Sequence, residues 1–205
     1  MIRPGVKNRC SRCRVTKLLC FCDKIESFDT LTKVTVIMHV SERKLTTNTA
    51  NWLNLTLSNS IICIRGQKKE RLDVSKCLDD HYTPLYLFPD DDAVPLDDSF
   101  KEKHKGPFNL IVPDGHWKQA SKVKLREKRL HNIMTVKIVG TQSSNYQLRK
   151  APYPGALCTY EAVMYALREL ESEELFLKMN SMFETMVGQI LQARSGALLG
   201  DKFLK

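Results

Sequence analysis

The sequence predicts an α/β protein in which a mostly parallel sheet is flanked by helices. Three observations predict it. Short runs rich in β-branched residues alternate with segments whose apolar residues recur at three-four spacing, the pattern of successive βα units. A chain of 205 residues with 42% hydrophobic content can bury a single sizeable core. The apolar run Phe108 to Val112 passes through Pro113, Asp114 and Gly115 straight into a helix-like segment. That layout sets a carboxylate at the carboxyl end of a strand, where open α/β sheets bind ligands.

The elements follow in order. Residues 1–24 form a basic, Cys-rich segment in which Asp23 opposes seven Lys and Arg. Lys33 to Val40 reads as a buried strand, Thr47 to Leu57 as a helix carrying Trp52, Leu53 and Leu57, and Ser60 to Ile64 as a second strand. Leu72 to Leu78 is a short helix and Pro84 to Phe88 a third strand, with an acidic, proline-containing loop from Asp90 to Asp98. Phe108 to Val112 is the fourth strand, His116 to Leu130 a basic helix and Ile133 to Val139 the fifth strand. The polar loop from Gly140 to Gly155 is long for a compact domain, which points to function. Helices then run from Thr159 to Leu170 and from about Glu173 to Ala193. The second carries Leu175, Phe176, Met179, Met182, Phe183, Met186, Val187, Ile190 and Leu191 at core-packing spacing. No internal repeat or low-complexity tract interrupts this order.

Net charge is +9, with a sequence pI near 9.2, which favours a polyanionic partner, nucleic acid ahead of an anionic membrane. No run approaches the ~20 apolar residues of a membrane span, and the first residues hold no apolar signal core. A cytoplasmic protein with no membrane association and no obligate protein partner is expected. Seven cysteines, four of them within thirteen positions, fit a reducing compartment and a metal better than a disulfide framework.

Cys10, Cys13, Cys20 and Cys22 form a CxxC…CxC cluster. Four thiolates can close a tetrahedral zinc shell with no open position, so the metal would be structural; a redox pair or an iron–sulfur site are the alternatives. Arg12 and Arg14, between the ligands, are candidate phosphate contacts, or they only keep an exposed module soluble. Cys63, Cys77 and Cys158 sit in apolar or helical patterns and read as core thiols.

Asp114 is either a strand-end carboxylate at a reaction centre or only the N-cap of the following helix. On one continuous helix Lys118, Lys122, Arg126 and Arg129 would share a face, which reads as a nucleic-acid track or as a solvated face. Trp117 suits either helix–sheet packing or stacking on a base.

The run Asp114-Gly-His-Trp117 resembles the Asp-x-Thr-Trp signature of the DTW-domain family of tRNA-uridine aminocarboxypropyltransferases. Further blocks agree in order: the Cys knuckle, His39-Val-Ser-Glu42 with Thr47-Asn48-Thr49, Leu87 to Ala93, and Leu157-Cys-Thr-Tyr-Glu-Ala162. The resemblance implies a fold similar to the SPOUT methyltransferases with a trefoil knot. It divides the chain into a zinc knuckle over residues 1–30 and a catalytic domain over 31–205. It also implies transfer of the 3-amino-3-carboxypropyl group of S-adenosylmethionine to N3 of a uridine in tRNA. Asp114 would then be the catalytic base, or the group that holds the N3–H in line, beside Trp117, and Thr49, Trp117, Ile138, Val139, Leu157, Thr159 and Glu161 the cofactor-binding residues; Glu161 equally reads as an acid that only begins a helix. His116 stands where the family has Thr, Ala50 where it has Gly, Asn51 where it has Arg and Val40 where it has Pro. Two other readings share these features: a zinc-containing RNA-binding protein of the same fold without catalysis, and a SPOUT-type RNA methyltransferase.

Overall fold

Continuous β-branched runs form the centre of the sheet because parallel strands are covered on both faces. β1 (Lys33–His39) has five consecutive buried residues, and all seven residues of β5 (Phe108–Asp114) are buried. With β2 (Ser60–Arg65), β3 (Thr83–Leu87), β4 (Val94–Leu96) and β6 (Met134–Ile138) they make a six-stranded sheet of order β2-β1-β5-β3-β6-β4. Every neighbouring pair is parallel. Two late strands are thus inserted between earlier ones, β5 between β1 and β3, and β6 between β3 and β4. The computed structural model describes residues 8–68, 71–140, 142–151, 153 and 155–195. Residues 1–7 of the expected knuckle segment and 196–205 of the expected catalytic domain lie outside the described residues.

Alternate residues along each strand feed opposite layers. Val34, Val36, Met38, Leu85, Leu87, Leu110 and Val112 join the larger core, under α1 (Ala50–Thr56), α5 (Thr159–Leu170) and α6 (Glu173–Ser195). Ile37, Tyr86 and Ile111 join the smaller one with Val74, Cys77, Val123, Leu130 and Ile133. The α6 stripe is buried from Leu175 to Ile190, with Phe176 and Leu191, also expected in it, half-buried at its flanks, and Phe183 stacks on Tyr160 at 5.2 Å and meets Trp52 edge-on at 6.0 Å. Cys13, Val15, Leu19 and Phe21 of the knuckle belong to this same core. The knuckle is therefore packed onto the α6 layer and shares the hydrophobic interior of the sheet. No described helix is long and apolar enough to cross a membrane.

Three expectations about elements are corrected. The single basic helix over 116–130 is three short pieces: α3 (Trp117–Ala120), α4 (Val123–Arg126) and a 3-10 turn at Lys128–Leu130. Burial of Ala120, Val123 and Leu130 against the sheet overrides helix propensity here, and Glu127 turns extended. Lys124 is drawn back toward β6, its Nζ donating to the Ile133 carbonyl and the Thr135 hydroxyl. The acidic loop also holds β4, an edge strand where Pro95 is tolerated, and α2 (Asp98–Lys103). Asp97 caps α2 by accepting from the Phe100 N–H at 3.0 Å. The short helix expected at 72–78 is a 3-10 turn over Val74–Cys77, capped by Asp73.

Candidate active site

The site is built where β5 ends in the middle of the sheet. Asp114 is its last residue and pairs in register with Met38 of β1. The chain then turns sharply through Gly115, whose φ is +155°. A Cβ there would lie 2.9 Å from Gln119 Oε1 and 3.4 Å from His39 Cβ, so only glycine lets the turn close. Gln119 pins it: its Oε1 accepts from the His116 N–H, its Nε2 donates to His39 Nδ1, and its carbonyl accepts from Arg65 Nη1 at 3.0 Å. His39 Nδ1 also accepts from the Ser41 N–H, which leaves the ring proton on Nε2. Burial and the neighbouring Arg65 hold this histidine below its usual range. The helix cap is His116, so the Asp114 carboxylate is released from capping.

Asp114 is 5% exposed and holds two donors. Asn48 Nδ2 donates to Oδ2 at 2.7 Å, and the Thr159 hydroxyl donates to Oδ1 at 2.6 Å. The same Asn48 nitrogen reaches Glu42 Oε2 at 3.3 Å, and its carbonyl oxygen accepts from the backbone and side-chain N–H groups of Asn51. Two carboxylates can only accept, so this network fixes which way the Asn48 amide points. Burial pushes the Asp114 carboxyl up; the Thr159 and Asn48 hydrogen bonds pull it back, Glu42 adds to the rise and Arg149 opposes it.

Two adjoining cavities meet beside this acid. The first, of about 260 Å³, opens over the carboxyl ends of β3, β5 and β6 and is mainly apolar, with Phe88, Pro113, Trp117, Ile138, Tyr153 and Leu157 among its walls. The second, of about 500 Å³, contains Asp114 with Glu42, Asn48, Lys118, Arg149 and Lys150. Gly115, Trp117, Leu157, Cys158 and Thr159 belong to both. Trp117 is half-buried on that shared wall, with Phe88 at 5.6 Å and Tyr153 at 5.3 Å.

The DTW domain family model matches residues 7–191. The chain belongs to the DTW-domain family. It is 29% identical over 178 residues to the tRNA-uridine aminocarboxypropyltransferase 2 of Drosophila melanogaster, a match covering 82% of this chain and 69% of that one. It is 24% identical over 175 residues to the protein of the same name from Macaca fascicularis, covering 79% of this chain and 56% of that one. No solved structure matches it.

Within this DTW domain the expected site residues are distributed unevenly. Ile138 is in the first cavity, Trp117, Leu157 and Thr159 on the shared wall, and Thr49 in the second cavity, its hydroxyl accepting from the Tyr160 N–H. Val139 is 41% exposed and lines neither cavity; the expected strand through Val139 ends at Ile138, which faces the first cavity. Glu161 also lines neither. Its buried carboxylate accepts from Ser144 Oγ, the Asn145 N–H and the Cys158 N–H, which ties the 144–146 loop to the first turn of α5. Of the basic stripe, Lys118 reaches the second cavity, while Lys122, Arg126 and Arg129 are exposed on the broken segment and line neither. Arg12 is exposed on the knuckle, and Arg14 is half-buried with Nη1 unpartnered among the described residues. Sequence reasoning assigns no role to Glu42, Asn48, Arg149, Lys150 or Tyr153. The motif blocks 39–42 and 47–49 and the length of the 140–155 loop are the signals that could have found them.

The four knuckle thiols can hold a metal ion. Their Sγ atoms all lie within 4.8 Å of one another, with Cys10–Cys22 at 3.6 Å and Cys13–Cys20 at 3.7 Å. A zinc–sulfur distance of ~2.3 Å gives a tetrahedral edge of ~3.8 Å, so the cluster is compatible with zinc. The Cys13 and Arg12 backbone N–H groups hold the Cys10 thiol down to about 6, while burial pushes the Cys13 and Cys22 thiols of the same cluster up.

Proposed function

We propose that this protein transfers the 3-amino-3-carboxypropyl group of S-adenosylmethionine to N3 of a uridine in tRNA. One observation carries the reading: a buried carboxylate with a raised pKa sits where an apolar cavity joins a polar one. The apolar cavity suits the adenosine, with Trp117 against the sulfonium end, and the polar cavity suits the uracil. Asp114 takes the N3 proton as N3 bonds to the propyl carbon. The carbon–sulfur bond breaks, its electron pair stays on sulfur, and neutral methylthioadenosine leaves. The names of the relatives support the substrate class. The same reading includes a SPOUT-like trefoil knot, supported by the two inserted strands, structural zinc in the knuckle, and a cytoplasmic location in keeping with the free thiols. The direct test incubates the protein with S-adenosylmethionine and total tRNA. Mass spectrometry should show the aminocarboxypropyl mass on uridine, with methylthioadenosine as by-product. S-adenosylhomocysteine as by-product would make the protein a methyltransferase, and no donor binding at all would leave an RNA-binding protein.

The raised Asp114 pKa sets a pH dependence. A carboxyl raised on folding stays protonated, and so idle as a base, to higher pH than usual; activity should climb as pH rises through that raised value. The acid limb of single-turnover rate against pH is therefore expected above the ordinary aspartate value of ~3.9. A limb at the ordinary value would remove Asp114 from the base role.

Lys118 and Lys150 flank the polar cavity, and with Arg12 and Arg14 of the knuckle they are the proposed phosphate contacts. Lys122, Arg126 and Arg129 would add only peripheral charge. Lys118→Ala with Lys150→Ala should weaken tRNA binding and lower the salt slope by about one for each phosphate no longer neutralised. Filter binding across a salt series measures this, and Lys122→Ala with Arg126→Ala should have the smaller effect. An unchanged slope in the first pair would move the tRNA elsewhere.

A further inference from the structure

Transfer of the aminocarboxypropyl arm, with the methyl group left on sulfur, needs the arm to be held. Within the polar cavity the side chains offer one feature matched to an amino acid's two charges. Glu42, 8% exposed, accepts from Arg149 Nη1 at 3.0 Å, and Arg149 Nε donates to Thr47 Oγ1 at 2.9 Å. Both the Arg149 and the Asn48 hydrogen bonds fall on Glu42 Oε2, and the two from Arg149 use two of a guanidinium's five N–H donors. Acceptor and donor capacity of opposite sign therefore remain side by side. Both residues line the cavity that contains Asp114 and that joins the apolar cavity along Trp117, Leu157 and Thr159.

We propose that the Glu42–Arg149 ion pair is the clamp for the α-amino-acid end of the donor, Arg149 taking its carboxylate and Glu42 its ammonium. The proposal rests on the transferase reading above. A donor with its adenosine in the apolar cavity passes its sulfonium along the shared wall and places both α-substituents against this pair. The arm is then stretched between two anchors, which aims the propyl carbon at Asp114 and whatever nitrogen it deprotonates. Asn48 links clamp and base directly, since one amide nitrogen donates to both Glu42 and Asp114. Choice of the transferred group then follows from charge recognition at the far end of the donor.

Three probes separate this role from a purely structural ion pair: S-adenosylmethionine, its decarboxylated form, and methylthioadenosine, which lacks the arm. Calorimetric titration of the full chain should show Arg149→Ala losing roughly tenfold or more in affinity for S-adenosylmethionine, the scale of a charge-assisted hydrogen bond. Its affinity for decarboxylated donor and for methylthioadenosine should stay within about twofold of the parent. Glu42→Gln keeps an oxygen for Arg149 and Asn48 but loses the charge. It should weaken both ammonium-bearing probes and spare methylthioadenosine. Equal losses on all three probes, or no loss on S-adenosylmethionine, would overturn the clamp. If Arg149→Ala fails to fold, which circular dichroism and thermal melting without ligand report, Glu42→Gln and Arg149→Lys decide it by the same comparison. A parent protein that binds no S-adenosylmethionine overturns the transferase reading itself, an outcome distinct from failure of the clamp.

Discussion

Asp114→Asn should reduce aminocarboxypropyl transfer by roughly 10²–10⁴-fold, the range that a positioned acid–base group supplies. The fold should survive. Asn fits the same volume, its oxygen can accept from Asn48 Nδ2, and its amide can donate to the Thr159 hydroxyl, so neither partner is left bare. The sign of the stability change follows from the pKa. A carboxyl whose folded value is raised costs stability once pH exceeds its unfolded value, and the cost is complete above the folded value. At neutral pH the neutral replacement should therefore leave the melting temperature unchanged or higher. Single-turnover kinetics and thermal melting on one preparation check both halves. Full activity in the variant removes the base, while loss of activity together with a large fall in melting temperature makes Asp114 structural.

Removing the proposed zinc of the cysteine knuckle should have the second large effect. Structural zinc sites contribute apparent binding energies of about 10–16 kcal/mol in isolated peptides. Here the clip also holds Cys13, Val15, Leu19 and Phe21 in the core beneath α6. Cys13→Ser, or a chelator strong enough to strip zinc, should lower the melting temperature by roughly 10 °C or more, given that 1 kcal/mol moves a chain of this size by about 2–4 °C. The apolar cavity, lined by β3, β5, β6 and the 140–155 loop, should still bind S-adenosylmethionine below that new transition if the proposed function holds. Emission spectrometry of the purified variant gives the metal content; a full complement of zinc in Cys13→Ser would refute the four-thiolate site.

The sequence showed the sheet far better than the segment beside it. Buried parallel strands are written in consecutive residues, so Lys33–His39 and Phe108–Asp114 are plain, and the turn residue Gly115 marks where ligand chemistry belongs. β4 is three residues with a proline inside an acidic stretch, and only its pairing with β6 makes it a strand. The cation spacing from Lys118 to Arg129 has a helical period, yet the burial of Val123 and Leu130 breaks the backbone that would carry it. Val139 shows how much one position matters at a strand end, since β6 ends at Ile138, which faces the cavity, and Val139 is exposed. Glu161 was legible as an N-terminal helix acid, but its capping partner is Cys158, an atypical cap that hides the usual pattern. The motif blocks 39–42 and 47–49 and the long 140–155 loop signal that Glu42, Asn48 and Arg149 matter, but not that they join in one network with Asp114. Its meaning lies in hydrogen bonds between residues 66 and 107 positions apart.

The two groups that grip Asp114 arrive from opposite directions along the chain, Asn48 from 66 positions upstream and Thr159 from 45 downstream. Neither half of the polypeptide therefore owns a working base. The hydrogen-bonded carboxylate is complete only when the segment before α1, the end of β5 and the first turn of α5 come together in one fold.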